Sequence, residues 1–397
     1  MPSELLSAYS PNQIKILNHI RQEGKITRSE LTEVSGFKLL TVTKTVSRFL
    51  EDGIIIEAGH ESSTGGRKAT LLSINPHFRY TLAVDMGSSR THIGVVGMDG
   101  SIVEQKVLTP GSSSIVKQNA SAEELLPHLR ALVKKYGKKN ILGLGIGISG
   151  VVHHDEGRIV FCPNLRAWND IDVNKTLGEA LEIPVFVDTA ARCMALAEYT
   201  LGAGKGIPNQ ISISIGNSVA AGIIIDGQVY RGADGAAGEI GHTSVRSDGA
   251  LCTCGNSGCL EMYVTQGIIT KTVEKTLATF RGFSPLKAML KDRTMPTPDE
   301  IRIAAEQGDK VALDVLNCSA VNMATAIGYL ANILNPSLIV LGGSTINSFP
   351  TLAKDIERIV RHRGFTVTHQ NLTIRTAKLA DSAGMVGAAL QVIDDFF

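Results

Sequence analysis

Residues 79–108, RYTLAVDMGSSRTHIGVVGMDGSIVEQKVL, decide the fold class of this chain. β-Branched runs around a glycine-containing loop and an Asp99-Gly100 turn predict strand, loop, strand, turn and strand. The same layout recurs in residues 210–232, QISISIGNSVAAGIIIDGQVYRG, with Gly216 in the loop and Asp226-Gly227 at the turn. An internal duplication is the simplest explanation.

Helix and strand patterns alternate after each of these hairpins. Residues 122–136 and 313–335 have helical spacing, whereas the buried apolar runs ILGLGIGISG (141–150) and SLIVLGG (337–343) predict strands. We therefore expect two α/β halves, each opening with an antiparallel hairpin sheet, that face each other across a cleft. Clefts between lobes are common binding sites for small molecules.

Composition limits what the chain can be. At 397 residues it exceeds the size of a single hydrophobic core, so two or three domains are expected. A net charge of +1 excludes a generally basic surface for nucleic acid or membrane, so any DNA contact must be local. The N-terminal sequence lacks the pattern of a signal peptide, and the apolar runs are too short and glycine-rich to span a bilayer. These features predict a cytoplasmic protein without a membrane partner.

The N-terminal residues predict a helix-turn-helix followed by a wing. Residues 11–22 and 27–36 have helical apolar spacing, and the second segment begins with a Thr27–Glu30 capping box. A third helical pattern, residues 39–54, starts only a few residues later, which is the helix-turn-helix layout. Two strand patterns between residues 54 and 74, around a glycine turn, form the candidate wing.

The third helix is the predicted DNA-contacting element. Residues 1–75 hold nine basic and eight acidic side chains, so total charge is a weak argument, but residues 36–48 contain three basic residues and no acid. Lys38 is a local misfit, because helix caps are usually Ser, Thr, Asp or Asn. The alternative is a small helical domain that binds protein. The residues expected to meet bases or phosphates are Thr41, Thr43, Lys44 and Arg48 in the helix, with Arg67 and Lys68 in the wing.

A group of thiols lies in residues 238–263, GEIGHTSVRSDGALCTCGNSGCLEMY, downstream of His242. In a reducing compartment, clustered thiols are more often a metal site than disulfides. The remaining cysteines are isolated in the sequence and are predicted to be packing residues: Cys162, Cys193 and Cys318.

Several motifs, each weak alone, form a specific combination over roughly residues 80–390. They are GADGAAGEIGH (232–242), CTCGNSGCLE (252–261), GIGISGVV (145–152), PNL (163–165), VDTAARCMALAE (187–198) and NPSLIVLGG (335–343). In these motifs the chain resembles the ROK family of repressors, open reading frames and sugar kinases. The resemblance implies a duplicated actin-like, ribonuclease-H-like fold with two lobes around a cleft. Family members with an N-terminal winged helix are mostly sugar-responsive transcriptional regulators.

The thiol cluster is predicted to hold a structural Zn²⁺ ion. One imidazole and three thiols suit a closed tetrahedral site without a position for a reacting water. A buried thiol cluster without a metal is the alternative. The predicted ligands are His242, Cys252, Cys254 and Cys259, in a loop (242–259) that would fix the position of Glu261.

The resemblance also implies a monosaccharide or sugar phosphate as ligand. Carboxylates suit this task because their oxygens accept hydrogen bonds from neighbouring hydroxyls. His242 would bind zinc through one ring nitrogen and face the sugar with the other. Without a ligand role, Asp188 would cap the following helix and Glu239 would be an exposed acid. The residues that match the hydroxyl-binding groups of the family are Asn164, Asp188, Glu239, His242 and Glu261.

The glycine loops depart from those of the family's kinases. Kinases have Asp-x-Gly-Gly-Thr-Lys where residues 85–90 read DMGSSR, and Gly-Thr-Gly-x-Gly-Gly-Gly where residues 216–222 read GNSVAAG. Each Cβ added to such a loop obstructs the approach of backbone to a phosphate. Asp188 matches the general base of the kinases. Val187 stands where the kinases usually have Asn, immediately before that base. We predict no catalytic residue and no ATP-dependent phosphotransfer; a sugar kinase and a docking module for a transport protein are the alternatives.

These features together predict an α/β protein with three segments. The winged helix is expected at 1–76, the first ROK lobe at 77–190 with a C-terminal helix at about 383–397, and the second lobe at 191–382. The expected function is repression of carbohydrate uptake or catabolism genes through a palindromic operator, bound by a homodimer or a dimer of dimers. The sugar would act through its differential affinity for two arrangements of that assembly.

Overall fold

The chain divides into two compact units, Met1–Ala190 with Met385–Phe397, and Ala191–Gly384. The structure, a computed structural model, describes residues 6–60, 68–87, 90–108, 121–362, 368 and 370–397.

The first unit opens with the expected three helices and a small antiparallel sheet of order β1-β3-β2. Capping boxes at Ser10 and Thr27 start the first two helices, because each side chain accepts a hydrogen bond from the backbone three residues on. The third helix begins after Lys38 without a side-chain cap, as the sequence suggested. The elements are α1 (Pro11–Glu23), β1 (Ile26–Thr27), α2 (Arg28–Ser35), α3 (Leu39–Glu51), β2 (Ile55–His60) and β3 (Thr70–Ile74).

A five-stranded sheet of order β11-β7-β4-β5-β6 forms the rest of the first unit. Strands β4, β5 and β6 are antiparallel neighbours, whereas β7 and β11 extend the sheet in parallel. A separate small sheet has the order β10-β9-β8. The elements are β4 (Tyr80–Met86), β5 (Thr91–Gly97), β6 (Ile102–Leu108), α4 (Ala122–Tyr136), β7 (Ile141–Ile148), β8 (Val151–His153), β9 (Arg158–Phe161), β10 (Ile171–Asp172), α5 (Glu179–Leu181) and β11 (Val185–Thr189).

The C-terminal helix, Ala383–Phe396, packs against this sheet. A Cβ at Gly145 would lie only 1.7 Å from the carbonyl oxygen of Ala388, so glycine is required where the helix meets β7. Gln391 donates a hydrogen bond to Ile146 O at 3.3 Å. The helix ends at Phe396, which is buried in the same apolar cluster as the winged-helix residues Ile20 and Phe49.

The second unit repeats the sheet of the first, with the order β14-β13-β12-β15-β16. Its antiparallel trio is again followed by two parallel strands, which confirms the predicted duplication. The elements are α6 (Ala190–Thr200), β12 (Gln210–Ile215), β13 (Val219–Ile225), β14 (Gln228–Tyr230), α7 (Glu261–Val264), α8 (Gln266–Thr279), α9 (Pro285–Leu290), α10 (Pro298–Glu306), α11 (Lys310–Leu334), β15 (Leu338–Gly342), α12 (Ser344–Ser348), α13 (Pro350–His362) and β16 (Thr373–Thr376).

Helix α11 is the central helix of the second unit. Its buried apolar side chains, including Met323 and Ile327, belong to the cluster that also contains Ile213 of β12 and Leu341 of β15. By length and composition α11 could cross a membrane, but 61% of its most apolar stretch is buried inside the protein. Such burial is typical of a core helix.

Candidate functional site

Four potential metal ligands converge in the second unit. One ring nitrogen of His242 and the sulfur atoms of Cys252, Cys254 and Cys259 all lie within 4.8 Å of one another. Cys252 Sγ is 3.7 Å from His242 Nδ1, and Cys254 Sγ is 3.6 Å from Cys259 Sγ. Zinc–sulfur bonds of about 2.3 Å in a tetrahedron place neighbouring sulfur donors about 3.8 Å apart. The four side chains therefore form a cluster that could hold a metal ion.

The thiols of this cluster differ in acidity. Burial, together with hydrogen bonds to the neighbouring thiols, raises the pKa of Cys259 to about 12. The backbone amide of Asn256 lowers the pKa of Cys254. A divalent cation bound by all three sulfur atoms would stabilise each of them as a thiolate.

Two glycines bring Glu239 and His242 against strand β13. A Cβ at Gly238 would lie 1.9 Å from Ala221 O, and a Cβ at Gly241 would lie 2.3 Å from Val219 O. Gly238 also has a φ of 99°, in the region that favours glycine. The backbone of residues 238–242 consequently lies directly on β13, which explains the need for glycine at both places in this motif.

Glu239 and Glu261 lie in one locality of the second unit. Burial raises the pKa of Glu239. The nearby His242 and Arg192 lower this pKa, and the Glu261 carboxylate raises it. Such mutual effects arise only between neighbouring charges. Glu261 Oε2 accepts a hydrogen bond from Val219 N at 3.1 Å. Two carboxylates and a histidine are thus held together beside the metal-ligand cluster, where they can accept hydrogen bonds from hydroxyl groups.

Arg192 was missed by the sequence analysis. It is buried in α6, and its Nη1 donates a hydrogen bond to Gly235 O at 2.8 Å. Gly235 belongs to the loop that leads into the Glu239 motif, so Arg192 both fixes that loop and lowers the pKa of Glu239. The available signal in the sequence was an arginine within the mostly apolar segment VDTAARCMALAE.

Arg246 connects the cysteine-rich loop to helix α11. Its Nε donates to Asn322 Oδ1 at 3.1 Å, its Nη2 lies 3.2 Å from Cys318 Sγ, and its guanidinium stacks 4.9 Å from the centre of the Tyr263 ring. Cys162 and Cys193 are buried as predicted for packing residues, but Cys318 is half-exposed and contacts Arg246 instead. No local pattern links residues this distant in sequence, so the contact was not predictable.

Asp188 lies in the first unit at the end of β11, with 3% of its surface exposed. Its Oδ1 accepts a hydrogen bond from Thr189 N at 2.7 Å, immediately before α6. His154, which the sequence analysis missed, has its Nδ1 3.6 Å from Asp188 Oδ2 and 2.9 Å from Val187 O. Because a carbonyl oxygen only accepts, Nδ1 carries the proton. Asn164 is exposed after β9 in the same unit, whereas Glu239, His242 and Glu261 belong to the second.

The exposed face of α3 carries most of the predicted DNA-binding residues. Thr41, Thr43 and Lys44 are exposed, while Val42 and Phe49 on the opposite face are buried. Lys68 is exposed beside β3, and the prediction for Arg67 lies outside the described residues, as does the Gly65-Gly66 turn.

Arg48 differs from its neighbours on α3, because its guanidinium already has partners within the protein. Nη2 donates to Ala8 O at 3.0 Å, Nε is 3.7 Å from Asp52 Oδ2, and the group lies 4.4 Å from the centre of the Tyr9 ring. These contacts attach the segment before α1 to α3. The predicted phosphate contact of Arg48 therefore competes with a role in holding this segment.

Comparison with known proteins places these features in a family. Residues 81–395 match the ROK family, and residues 10–56 match the winged helix-turn-helix DNA-binding family. The xylose repressor of Caldicellulosiruptor bescii is 28% identical over 390 residues, which cover 97% of this chain and 96% of the relative.

Two solved structures have the same fold over most of the chain. A ROK family transcriptional regulator, a homolog of the Escherichia coli Mlc protein, is 25% identical with a TM-score of 0.77, over 97% of this chain and 96% of that one. A ROK family glucokinase from Streptomyces griseus, in complex with glucose and AMPPNP, is 28% identical with a TM-score of 0.66, over 79% of this chain and 98% of that one. The chain belongs to the ROK family and has an N-terminal winged helix-turn-helix DNA-binding domain.

Proposed function

We propose that this chain is a sugar-responsive transcriptional regulator that represses genes of carbohydrate uptake or catabolism. The observation that carries the proposal is the exposed face of α3, with Thr43 and Lys44, in a winged helix fused to a ROK domain. Similarity to a xylose repressor over nearly the whole length of both chains supports it. The site of action is the cytoplasm, where operator DNA is found.

The DNA-bound form is a homodimer, or a dimer of dimers, on a palindromic operator. Two recognition helices must match half-sites about one helical turn apart. A sugar changes DNA affinity only if it binds one arrangement of the assembly more tightly than another. Lys44 contributes a phosphate contact, while Thr41 and Thr43 are within the part of α3 that reaches base edges.

The effector is a monosaccharide or a sugar phosphate, bound by the side chains that the family resemblance selects. Glu261 is the best-defined of them, because the hydrogen bond from Val219 N to its Oε2 fixes the carboxylate in place. Glu239 is its neighbour, and His242 is a neighbour of Glu239. Asn164 and Asp188 complete the proposed set.

A structural Zn²⁺ ion is the proposed occupant of the four-ligand cluster. The donor set of three thiols and one imidazole suits a tetrahedral zinc ion, as do two donor separations of 3.6 and 3.7 Å within a cluster whose four donors lie within 4.8 Å of one another. His242 Nδ1 faces the thiols, which leaves Nε2 for the effector. The ion would supply no chemistry beyond holding His242 and the segment before Glu261 in place.

ATP-dependent phosphorylation of a sugar is the second candidate, favoured by the similarity to a glucokinase. The second glycine loop opposes it, because Ser218, Ala220 and Ala221 replace glycines of the kinase loop. Each added Cβ obstructs the approach of backbone to a phosphate. The other glycine loop includes Ser88 and Ser89, which lie outside the described residues.

The first experiment measures binding of the full chain, loaded with zinc, to DNA from upstream of its own gene, with and without pentoses, hexoses, N-acetylhexosamines and their phosphates. A sugar-dependent change in affinity is expected. Glu261→Ala should abolish that response and leave DNA binding of the sugar-free form intact, whereas Asp314→Ala, on the exposed side of α11, should change neither. A retained response in the Glu261 variant would move the sugar elsewhere.

The kinase candidate is tested separately with labelled ATP and the same sugars. No sugar phosphate is expected above background. Sugar-dependent turnover at ordinary kinase rates, about 1–100 per second, would overturn the assignment as a regulator without catalysis.

A further inference from the structure

Two leucines at the start of α3 lie in solvent. Leu39 is 57% exposed and Leu40 is 67% exposed, while the other large aliphatic residues in the first two turns of the helix, Val42 and Val46, are fully buried. One exposed leucine is ordinary in a folded protein. Two consecutive ones leave more apolar surface in water, and covering that surface would release ordered water.

The position of the leucines on the helix defines the partner's location. Residues three or four apart lie on the same side of a helix, so Leu39 neighbours Thr43 and Leu40 neighbours Lys44. All four side chains are exposed. The leucines therefore extend, toward the helix N-terminus, the same face that carries the proposed DNA contacts, and the N-terminal residues of a recognition helix are those that meet base edges.

The chemistry of the major groove leaves one group that suits leucine. The base edges there present hydrogen-bond donors and acceptors, small C–H groups such as cytosine C5–H, and one projecting alkyl group, the C5-methyl of thymine. A leucine placed against a donor or acceptor would remove it from water without replacing the hydrogen bond. We propose that Leu39 and Leu40 contact thymine methyl groups and so select A·T pairs at defined positions of each operator half-site. The inference rests on the proposed DNA-binding function.

The test uses an operator selected from random duplex DNA by the full-length protein. Each thymine of that operator is replaced singly with deoxyuridine, which removes the methyl group and keeps every hydrogen-bonding group. Burial of one methyl group corresponds to about a fourfold change in affinity. We expect that loss at one or two positions in each half-site for the unaltered protein.

The variants Leu39→Ala and Leu40→Ala should bind the thymine operator several-fold more weakly and lose the sensitivity to deoxyuridine at those positions. Both side chains are exposed, so the variants should keep the helical content and melting temperature of the parent. Lys44→Ala should weaken binding to both DNAs equally and keep the sensitivity. Leu313→Ala, a leucine of 45% exposure outside the winged helix, is the matched control and should behave as the parent.

The possible results separate the two levels of the argument. The methyl contact would be overturned if the parent showed no sensitivity to deoxyuridine, or if both leucine variants kept that sensitivity unchanged. Either result would leave the DNA-binding function intact. Failure of the full-length protein to enrich any sequence would instead overturn the DNA-binding function and the inference with it.

Discussion

Replacing Phe396 with Ala should destabilise the first unit by about 3–5 kcal/mol, the usual cost of removing a buried phenylalanine ring. Phe396 is buried in the cluster that contains α1 residue Ile20 and α3 residue Phe49, although it lies at the far end of the chain. Next to it, Asp394 forms an ion pair with Arg21, whose guanidinium lies 4.8 Å from the centre of the Phe397 ring. Burial lowers the pKa of Arg21 to about 10. The C-terminal helix thus supports the winged helix directly.

Differential scanning calorimetry of the full chain measures this cost. For a unit of about 200 residues, 1 kcal/mol shifts the melting temperature by about 2–4 °C, so a shift of about 6–20 °C is expected. Because α3 packs on the same cluster, weaker operator binding should accompany the shift at temperatures near the new transition. Phe397→Ala is the matched control, since that ring is only half-buried and its removal leaves no internal cavity.

The result that refutes the reasoning is a Phe396→Ala shift no larger than that of Phe397→Ala. It would mean that the ring contributes nothing specific to the winged-helix core. A large shift without loss of operator affinity well below the transition is compatible with the argument, because the cluster supports α3 without touching DNA.

Three further predictions concern the DNA contact, the metal cluster and pH. Lys44→Ala should weaken operator binding. If Lys44 binds a phosphate, the slope of log K against log salt concentration should also become shallower by about one unit. An unchanged slope would exclude Lys44 as a phosphate contact. Cys259→Ser should bind less zinc than the parent, for which about one ion per chain is expected by plasma mass spectrometry. The variant should lose the sugar response and retain operator binding. Full zinc content in the variant would exclude Cys259 as a ligand. The Arg293 guanidinium and the Thr297 amide lower the pKa of Glu300 from 4.5 to about 2, so the stabilising effect of its carboxylate is complete above pH 4.5 and is lost as the pH falls through about 2. In Glu300→Gln the urea midpoint should depend less on pH over that range. A variant profile parallel to that of the parent would contradict the assignment.

Local sequence signals predicted the elements well because each depends on neighbouring residues. The Thr27–Glu30 capping box was visible in the sequence and is formed. The uncapped Lys38 was recognised for the same reason, since a cap is a contact within one turn. The two hairpins at 79–108 and 210–232 predicted the repeated sheet, because turn residues and strand periodicity are also local.

Contacts between distant segments were not predictable in the same way. Arg246 meets Asn322 and Cys318 through the packing of a loop on α11, and His154 meets Asp188 through the neighbouring positions of β8 and β11. Phe396 enters the winged-helix core only because the C-terminal helix crosses the first sheet. None of these pairs has a periodicity or fixed spacing, so one sequence contains no signal for them.

The second glycine loop contains positions where the fold requires glycine and positions where it does not. Gly222 is kept, and a Cβ there would lie 2.4 Å from both Ala191 O and Ala195 Cβ, so packing of α6 on β13 requires it. Ala220 and Ala221, where kinases have glycine, pair regularly with Ser214 and Ile213 in the sheet. Packing therefore requires glycine at position 222, whereas the sheet accepts alanine at positions 220 and 221. The loss of ATP binding that we propose would therefore leave the sheet intact, together with the Glu261 carboxylate that Val219 N holds.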